Sequence, residues 1–445
     1  MSYKLSIVKN KMMKRIINIL ILLCCIASLS SCGNSTEERS RVLKIYNWAD
    51  YIDEDVLAEF PDWYKQQTGE DLRIIYQVFD INEIMLTKIE RGHEDFDVVC
   101  PSEYIIERML RKDLLLPIDR NFGHTPDYIP NVSPYIRHEL NKTSQPERQT
   151  EDYAVPYMWG TAGILFNKKF ITAEEAGTWD ILWDSKNRGK ILMKDSYRDA
   201  YGTAIIYAHA RELADSTVTV EQLMNDNSPQ AIALAEQRLK EMKPNIAGWE
   251  ADFGKVMMSK KEAWINFTWS GDAVWAIEEA DAVGVELDYT VPCEGSNIWY
   301  DGWVIPRYAR NVKAASYFIN YLCQAVSAVA TPEIMEAKTD TTLDVHSDLS
   351  YFFGPLPGAD SLQIDPVQYP DRRVVERCAM IRDFGDRTEL VLEMWSRVKG
   401  DNLNTGIVLL IFAVFGLLFI WLVYAKIRKY KQKRRHRLRR KRKRG

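Results

Sequence analysis

The chain has 445 residues and a formal net charge of −4, but the charge is spread unevenly. Setting aside five basic residues ahead of Cys32 and 14 after Ala425, the body between them holds 39 Lys and Arg against 62 Asp and Glu, a net charge of −23. Such a body repels phosphate and nucleic acid and attracts cations, and its length is too great for one small domain and fits two lobes.

In chain order, Lys4, Lys9, Lys11, Lys14 and Arg15 precede an apolar run over residues 16–26, followed by Leu29-Ser30-Ser31-Cys32. Basic start, apolar core and small residues make a secretory signal. The last four residues also resemble the bacterial lipobox, with lipid attached to Cys32 and cleavage before it. Residues 1–31 are therefore expected to be a lipoprotein signal peptide and 32–41 a polar linker.

Beyond the linker, strand-like runs alternate with amphipathic helical stretches. Residues 43–47 read as a strand, followed by helix to about residue 67, with Pro61 predicting a kink or a split into two shorter helices. Strands are expected at 72–78 and 96–100, with a helix at 82–91 between them. Residues 141–152 are polar and read as a surface loop. A second series predicts strands at 163–167, 190–194, 263–268 and 287–291, then a returning strand at 300–306 and a helix at 312–323. Two α/β lobes joined by crossing segments follow, each a mixed, mostly parallel sheet flanked by helices. The expected division is 42–152 for lobe 1 and 153–303 for lobe 2. Residues 304–345 return to lobe 1, and 346–403 pack back on the lobes.

Residues 406–425 form an uncharged apolar run long enough to cross a hydrocarbon core. Trp421 and Tyr424 stand at its edge, and the basic residues of 426–445 predict a cytoplasmic tail with the body outside. Beside a membrane span, that tail reads as a topology anchor rather than a nucleic-acid site.

In an open α/β sheet, ligands sit beyond the C-terminal ends of the strands. Aromatic and acidic residues recur together at those ends. Trp48, Asp50 and Tyr51 follow the first strand, and Ser102 and Tyr104 the third. Asp195 and Asp199 follow the strand at 190–194, Trp269 and Asp272 the one at 263–268, and Trp299 and Asp301 stand at the last crossing. Ring faces attract ammonium groups and carboxylates complete their charge, which suits a flexible polycation. Each residue also has a plainer use. Ser102, Asp195 and Asp272 precede helices and can cap them, and Trp269 and Trp299 can pack in a core. Trp63, Trp179, Trp183, Trp249, Trp264, Trp275, Trp303 and Trp395 are assigned to packing.

Cys100, Cys293, Cys323 and Cys378 have no metal-finger spacing; disulfides and buried free thiols both remain open. The six histidines form no metal motif, and no nucleophile elbow, P-loop or dinucleotide fingerprint is present. No cofactor or metal is expected, and the chain does not read as an enzyme. Two alternatives stand beside a binding role: a carbohydrate-binding protein or glycoside hydrolase using cleft carboxylates, and a membrane-anchored sensor.

Five stretches carry a family resemblance. They are Ile45-Tyr46-Asn47-Trp48-Ala49-Asp50-Tyr51-Ile52, Phe96-Asp97-Val98-Val99-Cys100-Pro101-Ser102-Glu103-Tyr104, Val155-Pro156-Tyr157-Met158-Trp159-Gly160, Trp269-Ser270-Gly271-Asp272 and Trp299-Tyr300-Asp301. In this order they resemble the periplasmic spermidine- and putrescine-binding proteins. The resemblance implies a two-lobed, hinge-closing periplasmic binding protein of type II. Such a protein acts as a monomer that delivers polyamine to the permease subunits of an ABC importer in the inner membrane. By matching position, it implies an aromatic box of Trp48, Tyr51, Tyr104, Trp269 and Trp299, and ammonium partners in Asp301, Asp272 and Asp199. Ser102 would contribute a hydroxyl, and Asp50 would influence ligand choice. Two departures are visible. Ser196 stands where spermidine-type members tend to carry Asp. After Cys323 about a dozen residues, including a lining tyrosine, are missing.

Overall fold

The structure is a computed structural model that describes residues 39–49, 51–251, 253–326, 344–345, 366–367, 370–400, 412–419, 421, 423, 424, 426 and 428. Cys32, the signal segment and Asp50 lie outside the described residues; of the stretch after Cys323, where about a dozen residues were read as missing, residues 324–326 are described and 327–343 are not. Two units are distinguished, Met1–Thr388 and Glu389–Gly445.

In the first unit, β1 (Val42–Trp48) pairs in parallel with β2 (Arg73–Phe79) and with β3 (Val98–Val99). A strand covered along both edges is buried almost throughout, which its run of large apolar residues permits. Helix α1 (Glu54–Thr68) joins β1 to β2. Asp53 caps it by accepting from the Asp55 N–H at 2.9 Å, and Gly69 at φ 76° ends it. Pro61 sits inside α1 without splitting it, so the second of the two expected outcomes, two shorter helices, does not occur. Val56, Phe60 and Tyr64 bury one face of the helix, and that packing outweighs the one backbone bond the proline removes. Helix α2 (Asn82–Glu90) precedes β3, and α3 (Glu103–Arg111) follows it. The short β4 (Leu115–Leu116) comes next.

The expected strand at 163–167 is the end of a 14-residue strand, β5 (Ala154–Asn167). Lobe 2 continues with β6 (Ile191–Lys194), α4 (Tyr197–Ala208), β7 (Ile246–Glu250), β8 (Ile265–Trp269), α5 (Ser270–Asp281) and β9 (Leu287–Thr290). β6 pairs in parallel with β7 and β8, while β8 and β9 pair antiparallel to the second half of β5. The strand β7 was not expected: Ile-Ala-Gly-Trp-Glu carries too few branched residues to announce one.

The last strand, β10 (Ile298–Pro306), pairs antiparallel with the first half of β5 and, at its far end, with β3 and β4. β5 and β10 thus belong to both lobes, and the sheet runs β2-β1-β3-β10-β5-β8-β6-β7 without a break. Helix α6 (Val312–Leu322) returns to lobe 1, where Phe318 and Ile319 join Leu43, Ile45, Phe60 and Val98 in one core. Leu165, Leu192, Met258, Ala273 and Leu287 form the second core. Residues 377–383 touch both lobes. The Arg382 guanidinium donates to both Glu107 oxygens of α3, and Asn225 of lobe 2 donates to the Met380 carbonyl at 3.0 Å.

The second unit holds all but the first residue of a helix, Thr388–Gly400, and a helical stretch over residues 412–419 whose side chains are all exposed. Among the described residues no helix is long and apolar enough to cross a membrane, so the expected span at 406–425 is not supported. The remainder of the run falls mostly on residues outside the description. The four cysteines expected in disulfides or as thiols are free, with Cys100 and Cys323 buried.

Candidate functional site

Trp48 ends β1, Trp269 ends β8, and Trp299 and Asp301 sit on the shared strand β10. The topology brings these four to one cavity of about 400 Å³, which Tyr51, Ser102, Tyr104, Asp199 and Asp272 also line. The rings of Trp48 and Trp269, one from each lobe, meet edge to face with centroids 6.0 Å apart. Trp299 lies opposite Gly160 in the β5–β10 register, and a Cβ on Gly160 would fall 2.5 Å from the Trp299 ring and 2.3 Å from the Ser270 Oγ. Only glycine lets that indole rest against the neighbouring strand.

The register of β10 on β5 shifts between Tyr300 and Gly302, so Asp301 stands at a bulge. Bulges re-aim side chains. Here Tyr157, on the bulged side, donates its hydroxyl to the Tyr51 carbonyl at 2.8 Å, and Tyr51 donates its own to Asp301 Oδ2 at 2.8 Å. Across the other edge Asp301 bridges Ser102. Asp301 is 5 % exposed, and its second oxygen, Oδ1, has no hydrogen-bond partner among the described residues. Burial pushes its carboxyl up to about 7, and the nearby Asp199 charge adds to the rise, while bonds from Ser102 and Tyr51 oppose it.

Asp199 lies in the first turn of α4, whose N-cap is Ser196: the Ser196 Oγ accepts from the Asp199 N–H at 3.4 Å. Trp269 Nε1 and Asn297 Nδ2 donate to the Asp199 carboxylate at 3.2 and 3.0 Å. Burial nonetheless raises its pKa. Ser102 occupies the N-cap position of α3 but makes no side-chain cap bond; its Oγ instead accepts from Asn82 at 3.0 Å. Tyr104 donates to Glu83 at 2.9 Å. Asp272 is engaged from within the protein, since its Oδ2 lies 2.6 Å from the Lys194 ammonium. Among the described residues no group of His, Cys, Asp or Glu is placed to hold a metal ion.

Several polar or aromatic lining residues escaped sequence reasoning. Trp275, assigned to packing, lines the cavity one helical turn beyond Asp272, and that spacing was the available signal. Glu103, Asn297 and Lys255 also line it. Glu103 is buried, its Oε2 accepting from the Tyr300 N–H at 2.9 Å, and burial drives its pKa well up. An aromatic cavity with buried, partly protonated acids and an unmatched acceptor is arranged to receive hydrogen-bond donors carrying positive charge.

The family model for bacterial extracellular solute-binding proteins matches residues 62–335. The chain is 29% identical over 373 residues to the putrescine-binding periplasmic protein PotF of Escherichia coli, a match that covers 81% of this chain and 92% of that protein. It is 26% identical over 372 residues to the spermidine/putrescine-binding periplasmic protein of Salmonella typhimurium, again covering 81% and 92%. Among solved structures, a putative spermidine/putrescine ABC transporter from Listeria monocytogenes superposes with a TM-score of 0.62 at 28% identity, covering 81% of this chain and 99% of that one.

Proposed function

The chain belongs to the family of bacterial extracellular solute-binding proteins, and we propose that its solute is a linear polyamine delivered to the permease of an ABC importer. The observation that carries this reading is the orphaned Oδ1 of Asp301, buried among aromatic rings and beside Asp199. A neutral sugar hydroxyl could satisfy one oxygen, but it would leave two nearby buried acids without counter-charge. Protonated amines supply both charge and donors, and their methylenes pack on indole faces. The names of the curated relatives point the same way. The hydrolase alternative gives way, because the family binds solutes and does not turn them over.

In this reading Trp48, Tyr51, Tyr104, Trp269 and Trp299 clasp the methylene chain. Asp301 and Asp199 meet the ammonium groups, and the lobes bend about β5 and β10 to shut the cavity. Calorimetry of the full-length protein in detergent, titrated with putrescine, cadaverine and spermidine, tests the reading. Micromolar or tighter binding of at least one amine is expected, and heatless titration with all three would refute it.

The protein is further proposed to act as a monomer on the periplasmic face of the inner membrane, held there by lipid on Cys32 and by the C-terminal apolar run. The second anchor is supported by exposed Phe412, Phe415, Leu417 and Phe419, side chains that water does not favour. Fractionation of cells decides it. Cys32→Ser and deletion of residues 406–445 should each leave protein in the membrane fraction, and only the combination should release it. Release by the single Cys32→Ser change would show that the C-terminal run anchors nothing.

A further inference from the structure

Two of the aromatic faces at the cavity wall already carry ammonium groups, and both belong to the protein. The Lys194 Nζ stands 4.6 Å from the centroid of Trp269, and the Lys255 Nζ stands 4.9 Å from that of Trp275. Lys194 ends β6, pointing under the β8–α5 junction, and its side chain is 1 % exposed. Its three protons meet three acceptors: Asp272 Oδ2 at 2.6 Å, the Ala251 carbonyl at 2.7 Å and Glu250 Oε1 at 3.1 Å. Lys255 lies 3.9 Å from the other Asp272 oxygen. Burial alone would lower the Lys194 pKa, but Asp272 and Glu250 reverse that and raise it, so the ammonium stays charged.

A ligand ammonium in a closed aromatic cleft needs a ring face and a carboxylate. On this wall the two lysines balance Asp272 and Glu250, and a further cation brought there would face two like charges. Glu278, farther along α5, is exposed, where solvent and salt screen it. The half-buried Glu83 accepts from Tyr104, and Asp53, Asp80 and Asp195 are half-buried or exposed at the wall. The buried acids at the cavity are Glu103, Asp199 and Asp301; Glu103 gives one oxygen to the Tyr300 N–H and keeps the other unpartnered among the described residues. Asp301 and Asp199, beside the rings of Trp48, Tyr51 and Trp299, are the two that the polyamine reading assigns to ammonium groups.

We propose that Lys194 is a built-in ammonium that occupies the Trp269 face and the Asp272 carboxylate from the protein side, and so restricts the cleft to diamines over triamines. The proposal rests on the polyamine reading above and adds the residue that sets ligand length. It also accounts for a carboxylate that the family resemblance would give to the ligand.

The test compares putrescine with spermidine by calorimetry on the full-length protein. The unaltered protein should bind putrescine roughly tenfold more tightly than spermidine, the size of one unmatched charge contact. Lys194→Met should tighten spermidine by about tenfold and change putrescine less. That variant leaves two acids with Lys255 as their one lysine and can fail to fold. The pair Lys194→Met with Glu250→Gln keeps one lysine to one acid, releases the Asp272 oxygen that Lys194 held, and should shift the preference in the same direction. Asp272→Asn, which leaves Lys194 paired with Glu250, should keep the putrescine-to-spermidine ratio within about threefold. A loss of spermidine affinity of about tenfold in Asp272→Asn, or an unaltered protein that prefers spermidine, would overturn the assignment of Lys194 while leaving polyamine binding intact. If neither amine binds, the polyamine reading falls and this assignment falls with it.

Discussion

Asp301→Asn weakens amine binding by about 2–5 kcal/mol, roughly 30-fold to several thousand-fold in the dissociation constant, because it removes one side of a buried charge pair. Asn keeps the shape and can still accept the Tyr51 hydroxyl that reaches Oδ2 at 2.8 Å, so the change removes charge rather than packing. Stability moves the other way. The carboxyl of Asp301 is raised to about 7 in the folded chain, above its ordinary value. A raised acid contributes stability that is full below its unfolded value near 4 and is lost as pH rises through about 7. At pH 8 the ligand-free parent therefore carries a buried charge that the Asn variant lacks. The variant should melt no lower than the parent while binding far more weakly. Equal dissociation constants for the two proteins in calorimetry would remove Asp301 from the site.

The same group makes capture depend on pH. Below about 7 Asp301 is protonated in the free protein, and pairing with an ammonium requires that proton to leave. Affinity should then fall by about tenfold per unit as pH drops from 7 toward 5.5, and level off above 7.5. Amines of this class stay protonated across that range, as lysine does. Burial also raises Asp199, and Glu103 more strongly, so the slope can exceed one proton but not fall short of it. Titrations at pH 5.5, 6.5 and 7.5, each in two buffers of different ionisation enthalpy, measure the proton count directly. A dissociation constant that stays flat across those three values, with no buffer dependence, would mean that Asp301 is already charged or does not meet the ligand.

Much of the candidate site, as a shared cavity lining, was legible because it lies at strand ends. Trp48, Trp269 and Asp199 each follow or close a strand that hydrophobic runs mark, and a sheet gathers such ends at one edge. The crossings near residues 153 and 300 were legible too. Their pairing was not, because antiparallel contact between β5 and β10 is made over more than 130 residues of sequence. The bulge at Asp301 depends on that pairing and leaves no local mark. Lys194 and Lys255 were missed for a different reason. A lysine in sequence reads as solvated surface, and only the fold shows Lys194 sealed beneath Trp269 with Asp272 and Glu250 as partners. At Pro61 the expected split did not occur, because a local rule about helices yields to a buried face. The assignment of Trp275 to the core failed because tryptophan's usual fate was applied to a helix turn that faces the cavity.

Asp301 has a position that matters beyond its charge. Among the described residues, β5 and β10 are the sheet segments that run through both halves, and the irregular step in their pairing falls at this acid. On the proposed reading, the group that detects cargo would be built into the pivot itself. Force from a captured amine would act at the bending point, with no relay of side chains needed to carry it there.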